Sequence, residues 1–146
     1  MILLDANILL YVYIEELPQH GKVSQWFEDL LSTRDETVAV SWAVATAFLR
    51  ISTNRRIFSR PTSIAEATDR LDELFANPMV MSVSPTDKHW SVYASILNEM
   101  NISGDVVMDA HIAAMAIEHG AAVASADKDF LRFSNYINII DPLKLN

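Results

Sequence analysis

The sequence predicts an α/β fold, in which a mostly parallel central sheet is flanked by helices on both faces within one domain over residues 1–146. The chain has 146 residues, is 51% hydrophobic and lacks cysteine, so it can bury a core without disulfides or cysteine-bound metals. Short apolar runs alternate with longer segments whose apolar residues recur at helical spacing. No Gly/Ser/Pro-rich linker or internal repeat divides the chain.

Five short apolar runs are the predicted strands. They alternate with helical segments, which is the pattern of βα units in a parallel sheet. The runs are Met1–Leu4, Thr37–Val40, Val80–Val83, Ala121–Ser125 and Ile137–Ile140. In open parallel sheets, ligands bind beyond the carboxyl ends of the strands. Polar residues that directly follow these runs are therefore the first candidates for function.

Amphipathic periodicity predicts the connecting helices. Two lie near residues 19–32 and 41–54. A third begins at Ser63 and Glu66, which have the spacing of a capping box. A fourth follows residue 85. The third and fourth helices are each expected to turn an apolar stripe towards the core. The two stripes are Ile64, Ala67, Leu71 and Leu74, and Trp90, Tyr93, Leu97 and Met100.

A fifth helix is predicted from about Asp109 to His119, where Gly120 can supply a left-handed stop. Asp105 and Asp109 stand four residues apart around its start. If the helix includes both, they share a face. If it begins at Asp109, that residue caps it, and the helix dipole keeps the carboxylate ionised.

Composition excludes several classes of protein. The net charge of −8 argues against a generally nucleic-acid-binding surface, although not against a local basic patch or a metal-neutralised site. Three glycines are too few for the glycine-rich loops of dinucleotide and Walker-type sites. No apolar run approaches the ~18 residues of a membrane helix. The N-terminal apolar run lacks a basic flank, so we expect no signal peptide. We therefore expect a cytoplasmic location.

Acidic residues follow two predicted strands directly. Asp5 follows the first, with Asn7 two residues on, and Asp127 and Asp129 follow the fourth. Each alone is explained by a cap or a turn. Together with Asp109, however, they would repel one another and raise their pKa values unless a divalent cation neutralised them. Oxygen ligands suit Mg²⁺ or Mn²⁺, ions that promote phosphodiester hydrolysis by lowering the pKa of a bound water.

The order of these motifs resembles that of the PIN domain. Asp5-Ala6-Asn7 ends the first strand, residues 109–114 (DAHIAA) open the late helix, and residues 126–130 (ADKDF) follow the next strand. The resemblance spans nearly the whole chain. Residues 48–58 (FLRISTNRRIF) and 116–121 (AIEHGA) further resemble the VapC toxins of type II toxin–antitoxin systems.

This resemblance implies an endoribonuclease that depends on Mg²⁺ or Mn²⁺ and cuts structured RNA such as tRNA or rRNA. It also implies a homodimer inhibited by a cognate VapB antitoxin. Asp5, Asp109 and Asp127 would be the catalytic acids and metal ligands, and the products would carry 5′-phosphate and 3′-hydroxyl ends. Asn7 is expected to orient a metal-bound carboxylate, and Asp129 either to assist in the same way or to cap a helix.

One position departs from the family pattern. PIN sites commonly carry a glutamate on the helix after the second strand, and its counterpart here is Ala47. Asp105 is the expected substitute ligand, and Asp129 is a second candidate that ranks below it because it can instead cap a helix. The departure leaves open a catalytically impaired PIN module that binds RNA or a protein partner. A phosphoacceptor receiver domain is disfavoured, because no aspartate ends the run Val80–Val83 and Lys128 comes after Asp127.

A second group of residues is basic. Residues 41–60 hold four of the 11 Lys and Arg residues and no Asp or Glu: Arg50, Arg55, Arg56 and Arg60. They predict a positive rim that binds RNA phosphates by forked hydrogen bonds beside the acidic site. The alternatives are a solvated helix end with cations near its C-terminus and, for Arg50, an intramolecular salt bridge.

The histidines give no metal signal. His20, His89, His111 and His119 include no pair at the i, i+4 spacing of a helical zinc site. They are expected to be surface or helix-end residues.

Overall fold

The computed structural model describes residues 1–146 and confirms the predicted α/β class. The five strands are β1 (Ile2–Leu4), β2 (Val38–Ser41), β3 (Val80–Val83), β4 (Ala122–Ala124) and β5 (Ile139–Ile140). All pair in parallel, in the order β3-β2-β1-β4-β5. The first strand of the chain is thus the centre of the sheet, where Ile2 lies opposite both Val38 and Ala122.

Helices connect the strands and flank the sheet. They are α1 (Ala6–Tyr13), α2 (His20–Thr33), α3 (Trp42–Ser52), α4 (Ile64–Ala76), α5 (His89–Glu99) and α6 (Val106–His119), and a short 3-10 helix spans Lys128–Phe133. Helix α1 was not predicted. Residues 1–14 are almost uniformly apolar, so their periodicity does not separate a strand from a helix, and Asp5 alone marks the boundary as the N-cap.

The predicted helix ends are confirmed where their chemistry is specific. The Ser63 Oγ accepts a hydrogen bond from the Glu66 backbone N–H at 3.1 Å, and Gly120 ends α6 at φ 61°. The start of α6 differs from both predicted alternatives. The helix begins at Val106, so Asp105 precedes it without a side-chain capping bond, and Asp109 lies inside the first turn.

The core consists of 33 buried hydrophobic residues around the sheet. Five members of the predicted stripes lie outside it: Ile64 is 60% exposed, Trp90 is 72% exposed, and Tyr93, Leu97 and Met100 are only partly buried against the core. Ile64 is the first residue of α4, and Trp90 stands at the start of α5. Helix α5 packs against α6 rather than on the sheet, so it buries only Ile96 fully.

The parallel topology brings the carboxyl ends of the central strands to one edge of the sheet. Asp5 directly follows β1, and Ser125 directly follows the neighbouring strand β4. The backbone N–H of Asp5 donates to the Ala124 carbonyl at 3.0 Å, so the two strand ends are in register where the polar residues begin. No helix of this fold has both the length and the apolar character that a bilayer crossing requires.

Candidate acidic active site

Asp5 lies at the centre of a buried polar network. As the N-cap of α1, it accepts a hydrogen bond from the Ala6 backbone N–H at 2.7 Å through Oδ1. Its Oδ2 accepts from the Asn7 Nδ2 at 2.6 Å and from the Ser125 hydroxyl at 2.7 Å. Burial raises the pKa of Asp5, the hydrogen bonds oppose that rise, and the charge of Asp127 adds to it. The carboxylate is therefore rigidly oriented.

Ser125 links this carboxylate to the next strand end. While its hydroxyl donates to Asp5, its oxygen accepts from the Asn7 Nδ2 at 3.2 Å and from the Asp127 backbone N–H at 3.1 Å. Asn7 completes the link, because its Oδ1 accepts from the Ala126 backbone N–H at 3.2 Å. Ser125 was predicted only as the last residue of a strand. Its position directly after an apolar run, two residues before Asp127, is the signal that could have identified it.

Three carboxylates converge beside this network. Oxygen atoms of Asp109, Asp127 and Asp129 all lie within 4.8 Å of one another, with Asp109 half-buried and the other two exposed. Asp109 comes from the first turn of α6. Asp127 caps the 3-10 helix by accepting the Asp129 backbone N–H at 2.9 Å, which folds Asp129 back towards it. We call these three residues the acidic triad.

Burial and the charges of neighbouring carboxylates make ionisation of Asp109 unfavourable. Burial raises the pKa of Asp109 to about 7, with further contributions from the charges of Asp5, Asp127 and Asp129, against which Arg132 acts in the opposite direction. The negative charges of Asp5, Asp127 and Asp129 thus act on Asp109, and the positive charge of Arg132 partly offsets them. Such a site binds protons near neutral pH, and a divalent cation can take their place.

The predicted site residues fall into two groups in the structure. Asp109 and Asp127 are brought together, and Asp129, which ranked below Asp105 as a candidate ligand, joins them. Asp5 lies outside the triad but is coupled to it by charge. Asp105 is exposed and is not part of the group, so the geometry does not support it as the substitute ligand. The cause is the helix start at Val106, which leaves Asp105 before the first turn.

Ala47, the position of the family glutamate, lies in a groove between α3 and α6. The groove is lined by Trp42, Ala43, Thr46, Ala47, Arg50 and Met108. Met108 immediately precedes Asp109 in α6, so one residue of the groove is a sequence neighbour of the acidic triad. Its lining contains no carboxylate and one guanidinium. The missing glutamate therefore leaves an apolar, weakly basic wall around Ala47.

The four predicted rim arginines are all exposed, and none forms an ion pair. The salt-bridge alternative for Arg50 is therefore wrong. Arg50 lies in the last turn of α3, and Arg55 and Arg56 follow in the turn after it. Arg60 lies apart from the groove and lines a cavity of about 230 Å³ that Glu15 and Glu66 also line.

Two histidines are not at the surface: His89 is a helix-end residue, as the other expectation had it, and His111 lies within α6. His89 and His111 are half-buried, and the His89 Nε2 lies 2.8 Å from the His111 Nδ1 in a hydrogen bond. The His89 Nδ1 pairs with the nearly buried Glu118, whose other oxygen accepts from the Thr86 backbone N–H at 2.9 Å and hydroxyl at 2.6 Å. This series of hydrogen bonds joins α5 to α6. His111 and Glu118 share one face of α6 at i, i+7, a spacing that could have predicted it.

Arg132 and Tyr11 are site neighbours that the motif analysis missed. The Arg132 Nη2 lies 3.4 Å from the Asp129 Oδ1. Burial raises the pKa of Tyr11, as do the charges of Asp127 and Asp5, so the phenol lies within the field of the acids. Arg132 stands three residues after Asp129, which is one turn of a 3-10 helix, and that spacing was readable once such a helix was expected there.

Comparisons with known proteins identify the family of this chain. The family model of the PIN domain matches residues 2–136. Ribonuclease VapC31 of Mycobacterium tuberculosis is 39% identical over 143 residues, covering 98% of this chain and 100% of that protein. Ribonuclease VapC25 of the same organism is 37% identical over the same shares of both chains.

Solved structures of the same fold come from toxin–antitoxin systems. VapBC-1 from nontypeable Haemophilus influenzae matches at a TM-score of 0.69 with 16% identity, covering 99% of this chain and all of the other. VapBC2 from Rickettsia felis, bound to a promoter DNA fragment, matches at 0.67 with 17% identity, covering 96% and 98%. With its fold, its ordered acidic motifs and its near full-length relatives, the chain belongs to the PIN-domain family and is of the VapC type.

Proposed function

We propose that residues 1–146 form one PIN-type unit that acts in the cytoplasm as a divalent-metal-dependent endoribonuclease, the toxin of a VapBC-type pair. The observation that carries the proposal is the acidic triad at the carboxyl edge of the sheet, in a chain 39% identical to a ribonuclease. A phosphodiester bond is the substrate that such a metal-binding acidic site is suited to cleave.

The donor set fits Mg²⁺ or Mn²⁺. Three carboxylates within 4.8 Å offer only oxygen ligands, which these ions prefer, and two of them are exposed to substrate. Burial raises the pKa of Asp109, and the negative charges of Asp5, Asp127 and Asp129 add to that rise. A divalent cation held by Asp109, Asp127 and Asp129 lowers the pKa of water at the site and stabilises charge on the phosphate oxygens.

The protein's own residues supply orientation and charge. Asp5, held by hydrogen bonds from Ser125 and Asn7, adds a further carboxylate whose negative charge acts on Asp109 and would help to attract the cation. Asp109 must lose its proton before it can bind a cation, so its raised pKa means that protons compete with metal at this ligand.

The exposed arginines give an acidic protein a surface for RNA. Arg50 lines the groove of Ala47 and Met108, and Arg55 and Arg56 continue the positive surface without carboxylate partners. Free guanidinium groups bind phosphates in forked geometry. Arg60 contributes from a separate cavity. We propose a structured tRNA or rRNA as substrate, with cleavage leaving 5′-phosphate and 3′-hydroxyl ends.

The partners follow from the same relatives. Structures of VapBC and FitAB type, which share this fold, are of toxin–antitoxin complexes or of such proteins on DNA. We propose that a VapB-type antitoxin inhibits this chain and that the chain is a homodimer. An adjacent small reading frame with a DNA-binding N-terminus and an arginine-bearing tail is the expected genetic sign of the antitoxin.

The experiment is cleavage of total cellular RNA by purified protein with Mg²⁺ or Mn²⁺, compared with EDTA, followed by mapping of new 5′ ends. We expect discrete ends that appear only with metal, because the triad needs a cation to act. Ends that persist unchanged in EDTA would contradict the proposal.

Ala47 favours one competing function, a catalytically impaired PIN module that binds RNA or a protein partner. If the chain has this function, the folded protein binds no Mn²⁺ in calorimetry and cuts no RNA. Metal binding together with metal-dependent cleavage would exclude this function.

The Ser125 network gives a further prediction. Ser125→Ala removes a donor to Asp5 and an acceptor for Asn7 and the Asp127 N–H. We expect cleavage to fall about 10–100-fold, as for other residues that orient metal ligands. The free energy of unfolding should fall by about 1–3 kcal/mol, since buried polar groups lose partners. RNA cleavage and urea unfolding measure the two effects.

Ser52→Ala is the matched control. Ser52 is also a fully buried serine, but its Oγ has no hydrogen-bond partner. Its removal should leave cleavage unchanged and should not lower stability, because no bond is lost. Equal effects of the two substitutions would mean that the Ser125 network does not orient the site.

A further inference from the structure

We propose that Arg132 is a phosphate-binding residue of the ribonuclease site, whose guanidinium contacts the RNA backbone at the acidic triad. The inference rests on the proposed function and assigns a contact at the 3-10 helix that follows Asp127. It concerns a residue outside the basic segment 41–60.

The local fold points Arg132 at the triad. Phe130 and Phe133 are fully buried, with ring centroids 5.9 Å apart, and they anchor the 3-10 helix against the core. Side chains at i and i+3 of a 3-10 helix eclipse one another, so Arg132 stands over Asp129. The Arg132 side chain is 45% exposed, and its Nη2 lies 3.4 Å from the Asp129 Oδ1. Its position is thus fixed by packing while its head group stays accessible.

The contact with Asp129 leaves most of the guanidinium free. A charge-assisted N–H···O bond is normally 2.7–2.9 Å long, and this one is a single contact at 3.4 Å. Exposed ion pairs of this kind contribute about 0–1 kcal/mol to stability. Five N–H donors are available on the group, so a forked face remains for a phosphate. Stabilising the fold is therefore a poor account of this arginine.

Arg132 is also the one arginine or lysine that forms an ion pair with a member of the acidic triad. An RNA strand that crosses the triad must pass its three carboxylates, and cations beside them would hold it there. Arg50 lines the groove on the α3 side, and Arg132 stands on the side of the 3-10 helix.

The test compares wild type, Arg132→Ala and Arg132→Lys in binding to fluorescently labelled bulk tRNA, measured by anisotropy in EDTA so that nothing is cut. We expect Arg132→Ala to weaken binding several-fold at 0.1 M salt. The slope of log K against log salt should fall by about 0.7–0.9, the loss of one phosphate contact. Arg132→Lys should keep the slope, because it keeps the charge, but should cut total RNA more slowly with Mn²⁺.

Arg70→Ala is the matched control, because Arg70 also pairs with a carboxylate at i, i+3 (Glu73, 3.6 Å) and is 39% exposed. It should leave the salt slope unchanged. If Arg132 only neutralises Asp129, Arg132→Ala will tighten Mn²⁺ binding in calorimetry while affinity for RNA and slope stay at wild-type values, and the inference is overturned. A wild-type protein that neither binds nor cuts RNA overturns the proposed function itself.

Discussion

Asp109→Asn abolishes metal-dependent RNA cleavage, with an expected loss of about 1,000-fold or more. The substitution removes one of three oxygen ligands that lie within 4.8 Å of one another. A bound cation supplies several kcal/mol of charge stabilisation in the transition state, and each 1.4 kcal/mol corresponds to about tenfold in rate. The measurement is the rate of appearance of new 5′ ends in total RNA with Mn²⁺.

Two other aspartates make this test specific. Asp105 lies four residues before Asp109 and precedes the same helix. Asp105→Asn should retain most activity, because Asp105 is outside the triad. Asp72→Asn, on the exposed face of α4, should behave as wild type. If Asp105→Asn loses as much activity as Asp109→Asn, the assignment of ligands from the triad is wrong and the assignment from sequence is right.

Asp109→Asn also stabilises the metal-free protein at pH 8. The pKa of Asp109 is raised from 3.8 to about 7 in the folded state, so between these values the folded protein binds more protons than the unfolded chain. Stability is therefore greatest at low pH in this window and is lost as the pH rises through 7. Because Asp109 is half-exposed, solvent screening reduces the effect to about 1–2 kcal/mol. This corresponds to roughly 3–6 °C in Tm.

Thermal unfolding in EDTA between pH 5 and pH 8 checks this prediction. Wild type should lose stability across the range, and the asparagine variant should lose less. Mn²⁺ at a hundredfold excess over its Kd should restore about 2.7 kcal/mol to wild type at pH 8. The variant should gain much less. A wild-type Tm that rises from pH 5 to pH 8 in EDTA would contradict the raised pKa.

Much of the fold was predictable because its signals are local. The apolar runs become the strands, and Ser63 and Gly120 cap helices as their chemistry requires. Helix α1 was not predictable from periodicity, because residues 1–14 are apolar on every side and the sheet decides where the strand stops. Trp90 was wrongly predicted to be buried, because α5 packs against α6 and Trp90 lies at the exposed start of α5.

The type of candidate site was predictable from the sequence, but not every residue that belongs to it. Strand ends and residue types pointed to Asp109 and Asp127, since parallel topology gathers such positions. The inclusion of Asp129 depends on the tight 3-10 turn that folds it back, and the exclusion of Asp105 depends on a helix start at Val106. Both are backbone details of a few residues. The histidine pair was missed because His89 and His111 meet only through the packing of α5 on α6.

The hydrogen bond from Ser125 to Asp5 joins residues 120 positions apart. Asp5 follows β1, and Ser125 follows β4, the neighbour of β1 in the sheet but far from it along the chain. An N-terminal fragment that lacks residues 125–129 keeps Asp5 but loses the hydroxyl that orients it and two of the three carboxylates of the acidic triad. The acidic site is thus a property of the assembled sheet, and no fragment without β4 and the residues after it can form it.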